Sequence, residues 1–187
     1  MPDKKPASDP TPLAAAEVTG ESFGERALEL TRARLGKFDE DAALVAMMLT
    51  RTAVAHLQVS ERLHRPREWS WSGFRIMWMI WLFEAIEARD LARLAGVSRQ
   101  ATSSVLATLE GKGLVHRERT SPTDRRLVTV SLTPEGLDEV KRAFVEQNQL
   151  DSEWFSVLDP DEQRQFVSLL ARISSRIDLS SKRNGTG

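Results

Sequence analysis

The segment covering residues 89–132 constrains the fold more than any other part of this chain. Apolar residues first recur at three- to four-residue spacing on both sides of Gly96, and later alternate with polar residues at Val128, Val130 and Leu132. The first period is that of a helix, and the second is that of a half-buried strand. The segment therefore predicts two short helices joined by a tight turn, followed by a two-stranded ribbon.

The second of these helices has two chemically different faces. Ser98 precedes it and is a good N-cap residue. The core face is predicted to hold Thr102, Val105 or Leu106, and Leu109. The residues with exposed hydrogen-bonding groups are Arg99, Gln100, Ser103 and Ser104. Arginine reads guanine and glutamine reads adenine in a major groove, whereas serine bonds bases or phosphates. A solvated face is the alternative for an isolated helix, but the preceding helix and glycine turn favour DNA recognition.

The ribbon is predicted to end in a cationic turn. Residues 121–124 have turn chemistry, and Arg125 and Arg126 follow Asp124 directly. Two arginines at an exposed tip suit a phosphate backbone or a narrow minor groove. We expect Asp124 to hold an arginine or backbone amides in place, because an unpaired carboxylate would repel DNA.

The charge of the chain is concentrated in this region. The whole sequence carries a net charge of −1, but residues 89–126 contain eight basic and four acidic residues and carry +4. Phosphate attraction acts locally because charges farther apart than about 8 Å are largely screened. A basic segment on an acidic body is therefore compatible with DNA binding, although a solvated charged face is the alternative.

The remaining sequence predicts a mainly α fold with a small β-wing. Four prolines in residues 1–18 predict a disordered tail, and residues 19–66 predict N-terminal helices. Residues 67–133 form the predicted winged helix-turn-helix domain, residues 134–179 the C-terminal helices, and residues 180–187 a flexible tail. The last helix has an apolar stripe that a small domain cannot cover. We expect the N- and C-terminal helices to form a homodimer, with an intramolecular bundle as the alternative.

One predicted helix is apolar on nearly all sides, which indicates the central core. Ser70 is its expected cap, and Arg75 alone interrupts residues 74–83. A lone arginine on such a helix either reaches the surface or meets a carboxylate. A small aromatic acid is therefore a candidate ligand. Its proposed site consists of Trp69, Trp71, Arg75 and Trp78. The alternative is that the tryptophans only pack and Arg75 is a surface residue.

The sequence gives little support for catalysis. The three histidines are scattered, cysteine is absent, and no glycine-rich phosphate loop or nucleophile motif occurs. We therefore predict no enzyme, no cofactor and no metal site. The N-terminus lacks the apolar stretch of a secretory signal, and no stretch approaches about 20 apolar residues, so we expect a cytoplasmic protein without a membrane span.

The chain resembles the MarR family of winged-helix transcription factors. Three motifs carry the resemblance: LARLAGVSRQATSSVLATLEGKGLV, the D-R-R at Asp124 to Arg126, and V-x-L-T-P-E-G from Val130 to Gly136. The resemblance implies a homodimer whose recognition helices enter successive major grooves while Arg126 enters the minor groove. It also implies small aromatic or phenolic ligands that relieve repression. Residues 98–104 match the start of the family's recognition helix.

These observations predict a sequence-specific regulator of transcription that binds double-stranded DNA at a pseudo-palindromic site, most simply a repressor released by a small aromatic ligand. The predicted DNA-binding residues are Ser98, Arg99, Gln100, Thr102, Ser103, Ser104, Asp124, Arg125 and Arg126. The alternative function is a winged-helix module that binds another protein without specific DNA binding.

Overall fold

The structure is a computed structural model that describes residues 22–119 and 128–183, with side chains up to Arg176 except that of Arg119. The predicted tail at residues 1–18 and the predicted ribbon tip lie outside the described residues. The chain divides into two compact units, residues 1–58 and 59–187. Each unit is described by itself.

The first unit contains α1 (Ser22–Leu35) and most of α2 (Glu40–His64). Gly24 allows the two helices to approach closely, because a Cβ atom at this position would lie 2.8 Å from the Leu44 side chain. The Arg51 guanidinium lies 4.8 Å from the centre of the Phe23 ring, a cation–π contact. The N-terminal helix predicted from the sequence is therefore confirmed, and it packs on α2.

The second unit begins with the end of α2 and a short 3-10 turn (Arg65–Arg67). The following elements are α3 (Trp71–Phe83), β1 (Ala85–Glu87), α4 (Ala88–Ala95), α5 (Arg99–Gly111), β2 (Val115–Arg119), β3 (Val128–Leu132), α6 (Pro134–Phe155) and α7 (Pro160–Arg183). The three strands form an antiparallel sheet in the order β1-β3-β2. Val130 is paired with Ile86 on one side and Arg117 on the other.

Helix α3 supplies the centre of the core, as its apolar sequence predicted. The largest fully buried side chains on α3 are Ile76, Met77 and Ile80, and Phe74 is also buried. The side chains buried in the same cluster from α4, α5, β3 and α6 include Leu91, Leu106, Leu109, Val130 and Val140. This single cluster fixes α4 and α5 against α3, so the helix-turn-helix is held by burial rather than by helix propensity alone.

Side-chain caps mark the beginning of four helices, including the predicted caps Ser70 and Ser98. Ser70, Ser98 and Thr133 each accept a hydrogen bond from the backbone N–H three residues later. Asp159 caps α7, and its own backbone N–H donates to Glu162, which completes a capping box. These side chains therefore set where α3, α5, α6 and α7 begin.

Three details differ from the sequence predictions. The ribbon is joined by a third strand, β1, which pairs with β3 through residues 85–87. The apolar residues before Gly96 are expected to face the core, but Leu94 is exposed and Ala95 is buried there instead. Helix α7 continues to Arg183 and so includes part of the predicted C-terminal tail. The strand β1 depends on its pairing with a distant strand, which the local sequence pattern does not contain.

Helix α2 and the 3-10 turn after it form a continuous segment, Glu40–Arg67, that is long and apolar enough to cross a membrane by length and composition alone. This corrects the prediction that no stretch approaches a membrane span. Its unbroken apolar run covers only residues 42–49, and polar residues interrupt the apolar ones beyond it. A single such helix is weak support for a span, since core helices pass the same criteria.

Candidate nucleic-acid interface

A tight glycine turn sets the angle between α4 and α5. Gly96 has a φ of 64°, and its N–H donates to the carbonyls at the end of α4. The Val97 N–H also donates to Ala92 O, at 3.2 Å. A side chain at Gly96 would be strained in this left-handed conformation. The predicted turn is therefore confirmed, and it delivers the chain directly to the Ser98 cap.

Ser98 fixes the first turn of α5. Its Oγ accepts from the Ala101 N–H at 3.1 Å, and its backbone is extended. Ser98 is exposed, so the first turn of α5 begins at the protein surface. This turn is the positive end of the helix dipole. This end of α5 is therefore electrostatically suited to a phosphate.

The two faces of α5 are divided as predicted. Thr102, Leu106 and Leu109 are buried in the core. The exposed hydrogen-bonding side chains at the start of the helix are those of Arg99, Gln100, Ser103 and Ser104, which we call the reading face. The reading face is therefore free of packing contacts on the side away from α3.

Thr102 is placed differently from the other predicted DNA-binding residues. Only 2% of its surface is exposed, and its hydroxyl donates to Ser98 O at 3.0 Å. The helical period that exposes Arg99 and Ser103 turns Thr102 toward the core. We therefore remove Thr102 from the proposed contact set.

Arg99 differs from the other basic residues nearby. Arg89 pairs with Glu87, Arg93 with Asp90, Lys112 with Glu68, and Arg117 with Glu110. Within residues 22–119 and 128–183, no acidic group pairs with Arg99. Its guanidinium therefore keeps all of its donors available for an external acceptor.

Two ion pairs anchor the end of α5. The Arg117 Nε atom on β2 lies 3.2 Å from Glu110, and the Lys112 Nζ atom lies 2.7 Å from Glu68, just after the 3-10 turn. The Lys112 ammonium lowers the pKa of the Glu68 carboxyl. The sequence did not predict these two ion pairs, because each joins residues from different elements. It shows that the residues have opposite charges but not which of them pair.

The connection from the sheet to α6 presses against the exit of α5. The Thr133 hydroxyl donates to Gly113 O at 2.7 Å, and the Thr133 N–H donates to Leu114 O at 3.1 Å. Gly136 lies so close that a Cβ atom there would fall 1.9 Å from Leu114 O. The first turn of α6 is thus in direct contact with the turn that ends the reading helix.

The predicted tip of the wing lies outside the described residues, which include neither Asp124, Arg125 nor Arg126. The strands that lead to it are described: Arg119 pairs with Val128, the last register position before the tip. The three tip residues therefore stay predictions.

The four predicted ligand-binding residues contact different parts of the protein. Trp69 and Trp71 stack on His64, with ring centroids 5.3 and 5.7 Å away. Trp78 stacks on Phe144 at 6.3 Å. The Arg75 Nη2 atom donates to Ala95 O at 2.7 Å and so ties α3 to the end of α4. None of the four side chains lines the cleft described next.

A cleft lies between the end of α3, the end of β3 and the first turn of α6. Its volume is about 370 Å³, within the usual range for small-molecule sites. The cleft is lined by Ile80, Trp81, Glu84, Leu132, Thr133, Pro134 and Leu137. Sequence reasoning missed it because its walls come from three elements that are distant along the chain.

Comparisons with known proteins agree with this architecture. Residues 69–128 match the model of the MarR family. The chain is 32% identical over 108 residues to YwaE of Bacillus subtilis, an uncharacterized HTH-type transcriptional regulator, with 58% of this chain and 63% of that protein covered. The chain thus spans less than two thirds of the length of this relative.

Two solved structures share the fold. A mutant of MarR from E. coli, complexed with operator DNA, is 25% identical with a TM-score of 0.58 and covers 67% of this chain and 92% of that chain. The transcriptional regulator BldR from Sulfolobus solfataricus is 27% identical with a TM-score of 0.63 and covers 76% and 99%. The matched region includes α3, α4, α5 and β2. Over residues 69–128 the chain is therefore similar to the MarR family.

Proposed function

We propose that this chain is a transcriptional regulator that binds double-stranded DNA sequence-specifically, with α5 in the major groove. The observation that carries the proposal is the reading face: its side chains are exposed, hydrogen-bonding and unopposed by packing, while the other face of the same helix is buried. The similarity to a MarR structure complexed with operator DNA supports the same orientation. Arg125 and Arg126 would contact the flanking minor groove or its phosphates, with Asp124 holding an arginine or backbone amides in place.

The proposed DNA-binding form is a homodimer. Helix α7 exposes Phe166, Val167, Leu169 and Ile173, and α2 exposes Val45, Leu49, Val54 and Leu57. Apolar stripes of this length need a cover in water, and a second copy supplies one through two-fold symmetry. The operator would then be pseudo-palindromic, with half-sites about 10 to 10.5 base pairs apart. The same need for a cover favours a dimer helix over a membrane span for α2, and hence a cytoplasmic protein.

Replacing Arg99 with alanine tests the proposed function. We expect the dissociation constant for a duplex selected from random sequences to rise about 10- to 100-fold, because one bidentate contact to a base is worth about 1–3 kcal/mol. Arg172→Ala is the matched control, since it removes an exposed arginine from α7. Equal losses in both variants would mean that only net charge matters and would contradict sequence reading. Unchanged affinity would favour the protein-binding alternative.

Arg126→Ala separates the wing from the reading face. We expect weaker binding to every duplex and a shallower dependence of affinity on salt, because a phosphate or minor-groove contact is lost. Footprinting on the selected duplex should show two-fold symmetric protection. Asymmetric protection would argue against a homodimer on a pseudo-palindromic site.

We further propose a repressor released by a small aromatic ligand. Two features support it: the tryptophan-rich surroundings of α3 and the cleft beside Trp81. Arg75 does not line this cleft, but it keeps N–H donors beyond the one bonded to Ala95 O, so an aromatic acid paired with it would lie elsewhere along α3. We expect hydroxybenzoates to quench tryptophan fluorescence saturably and to weaken DNA binding over the same concentration range. Quenching without weakened DNA binding would contradict the effector role.

The chain is proposed to act without catalysis. Within the described ranges, no three histidine or acidic side chains are grouped to hold a metal ion. The family relatives are named as transcriptional regulators. The proposed activity therefore consists of binding steps alone.

A further inference from the structure

A buried polar cluster joins the end of α2 to α6. The Gln147 Nε2 atom donates to Ser60 Oγ at 3.2 Å and to Asp151 Oδ1 at 2.8 Å. The Gln147 Oε1 atom lies 3.1 Å from His64 Nε2. Ser60, His64 and Gln147 are buried. We call Ser60, His64, Gln147 and Asp151 the junction cluster.

The hydrogen bonds determine the tautomer of His64. Gln147 uses both of its amide hydrogens on Ser60 and Asp151, so only its oxygen is left to face His64. An amide oxygen can accept a hydrogen bond but cannot donate one. His64 must therefore donate through Nε2, which leaves the Nδ1 lone pair as the acceptor of the neutral ring. The Nδ1 atom is buried and has no hydrogen-bond partner among the described residues. A second proton on the ring would thus add a buried donor without an acceptor.

The surroundings of His64 are aromatic on one side and charged on the other. Its ring stacks on Phe74 with centroids 4.6 Å apart, and the rings of Trp69 and Trp71 also lie against it. The charged groups around the junction cluster are Glu61 and Arg67 on its own side, and Glu146 and Asp151 on α6. Burial among these groups lowers the pKa of His64 below 6.5, opposed by the hydrogen bond to Gln147.

An adjacent ion-pair group reinforces this junction and fixes the charge nearest to His64. The Arg67 Nε atom lies 3.0 Å from Glu139, and the Arg67 Nη2 atom lies 2.5 Å from Glu146. The Arg67 guanidinium lowers the pKa of Glu146, so this carboxylate stays ionised and bound to Arg67 near pH 6. It is therefore already engaged when His64 takes up a proton.

Helix α6 connects the junction cluster to the reading helix. Its first turn contacts the exit of α5 through Thr133 and Gly136, as described above. Gln147 lies on the same continuous helix, about 20 Å further along at 1.5 Å per residue. A change in how α6 is held at Gln147 therefore reaches the end of α5 through one rigid element.

We propose that the junction cluster is a proton-responsive lock that positions α6, and through it α5, with Gln147 and His64 as the positioning residues. In the neutral state His64 donates to Gln147 and holds α6 against the end of α2. Protonation leaves the Nδ1–H donor unsatisfied, loosens the junction and weakens DNA binding. The DNA-binding consequence rests on the proposed function, whereas the lock itself does not.

The stability of the protein should show the lock without DNA. Because the pKa of His64 is lowered in the folded state, the unfolded chain takes up this proton first as the pH falls. The contribution of neutral His64 is therefore complete above pH 6.5 and is lost as the pH falls toward the folded-state pKa. We expect the melting temperature of the wild type to fall more between pH 7.5 and pH 5 than that of His64→Phe, which keeps the ring stacking but does not titrate.

His116→Gln is the matched control, because His116 is an exposed histidine on β2. It should follow the wild type over the same pH range. NMR titration of the wild-type histidine rings is independent of whether His64→Phe folds. We expect the His64 midpoint to lie below 6.5 and to coincide with shifts of the Gln147 amide signals. A midpoint at or above 6.5, or unmoved amide signals, would overturn the lock.

DNA affinity tests the connection to α5. Between pH 7.5 and pH 5.5 we expect the wild-type dissociation constant to rise more than that of His64→Phe, because only the wild type can take up a proton at this position. Gln147→Leu should also flatten the profile, because it removes the acceptor that holds neutral His64. Parallel pH profiles in all three proteins would overturn the connection. Absence of DNA binding at every pH would contradict the proposed function instead, while the NMR result would still decide the lock.

Discussion

The variant Gly136→Ala is expected to lose about 3 kcal/mol of folding free energy, and its melting temperature should fall by roughly 10 °C. A Cβ atom at this position would lie 1.9 Å from Leu114 O and 2.8 Å from the carbonyl carbon of the same residue. Both are backbone atoms, so no side chain can rotate away. The first turn of α6 must move instead, and the hydrogen bond from Thr133 to Gly113 O is strained with it. Thermal unfolding followed by circular dichroism measures the loss.

Gly111→Ala provides the matched comparison. Gly111 is the last residue of α5, and a Cβ atom there would meet nothing within 4 Å. Alanine is favoured over glycine inside a helix by about 0.5–1 kcal/mol, so this variant should be as stable as the wild type or more stable. Equal stability of the two alanine variants would mean that α6 does not press on the Leu114 backbone. The close approach would then not be part of the native packing.

Much of the reading helix could be predicted because its determinants are local. Ser98 and Gly96 mark its beginning, and the spacing of Thr102, Leu106 and Leu109 defines the buried face. These features act within one or two helical turns, so the sequence contains them directly. The same helical spacing places Thr102 on the core face, so predicting Thr102 as a DNA contact conflicted with predicting its burial.

Features that depend on distant contacts could not be predicted in the same way. The short strand β1 lies between two helices, and only its pairing with β3 makes residues 85–87 extended. Gln147 lies within a helix rich in polar residues, where its burial against Ser60 and His64 leaves no local signal. The cleft beside Trp81 has the same origin. Tertiary contact overrides local preference at all three places.

The variant Leu109→Ala is expected to destabilise the protein by about 2–5 kcal/mol, with a fall in melting temperature of roughly 10 °C. Leu109 has none of its surface exposed, and its Cδ2 atom lies 3.8 Å from the position a Cβ atom would take at Gly73 on α3. Truncation removes these methyl groups from a packed core and leaves a cavity between α5 and α3. Chemical denaturation with a two-state fit measures the free energy.

Leu94→Ala is the matched control, because it makes the same truncation at a leucine of α4 that is 39% exposed. Its cost should stay below about 1 kcal/mol. Well below its melting temperature, Leu109→Ala should select the same DNA sequence as the wild type, since the reading face is intact. Gln100→Ala should do the reverse, relaxing the preference at one base pair while leaving the melting temperature unchanged. If Leu109→Ala changed the selected sequence, or Gln100→Ala lowered the melting temperature, the two faces of α5 would not separate folding from recognition, and the assignment of the reading face would fail.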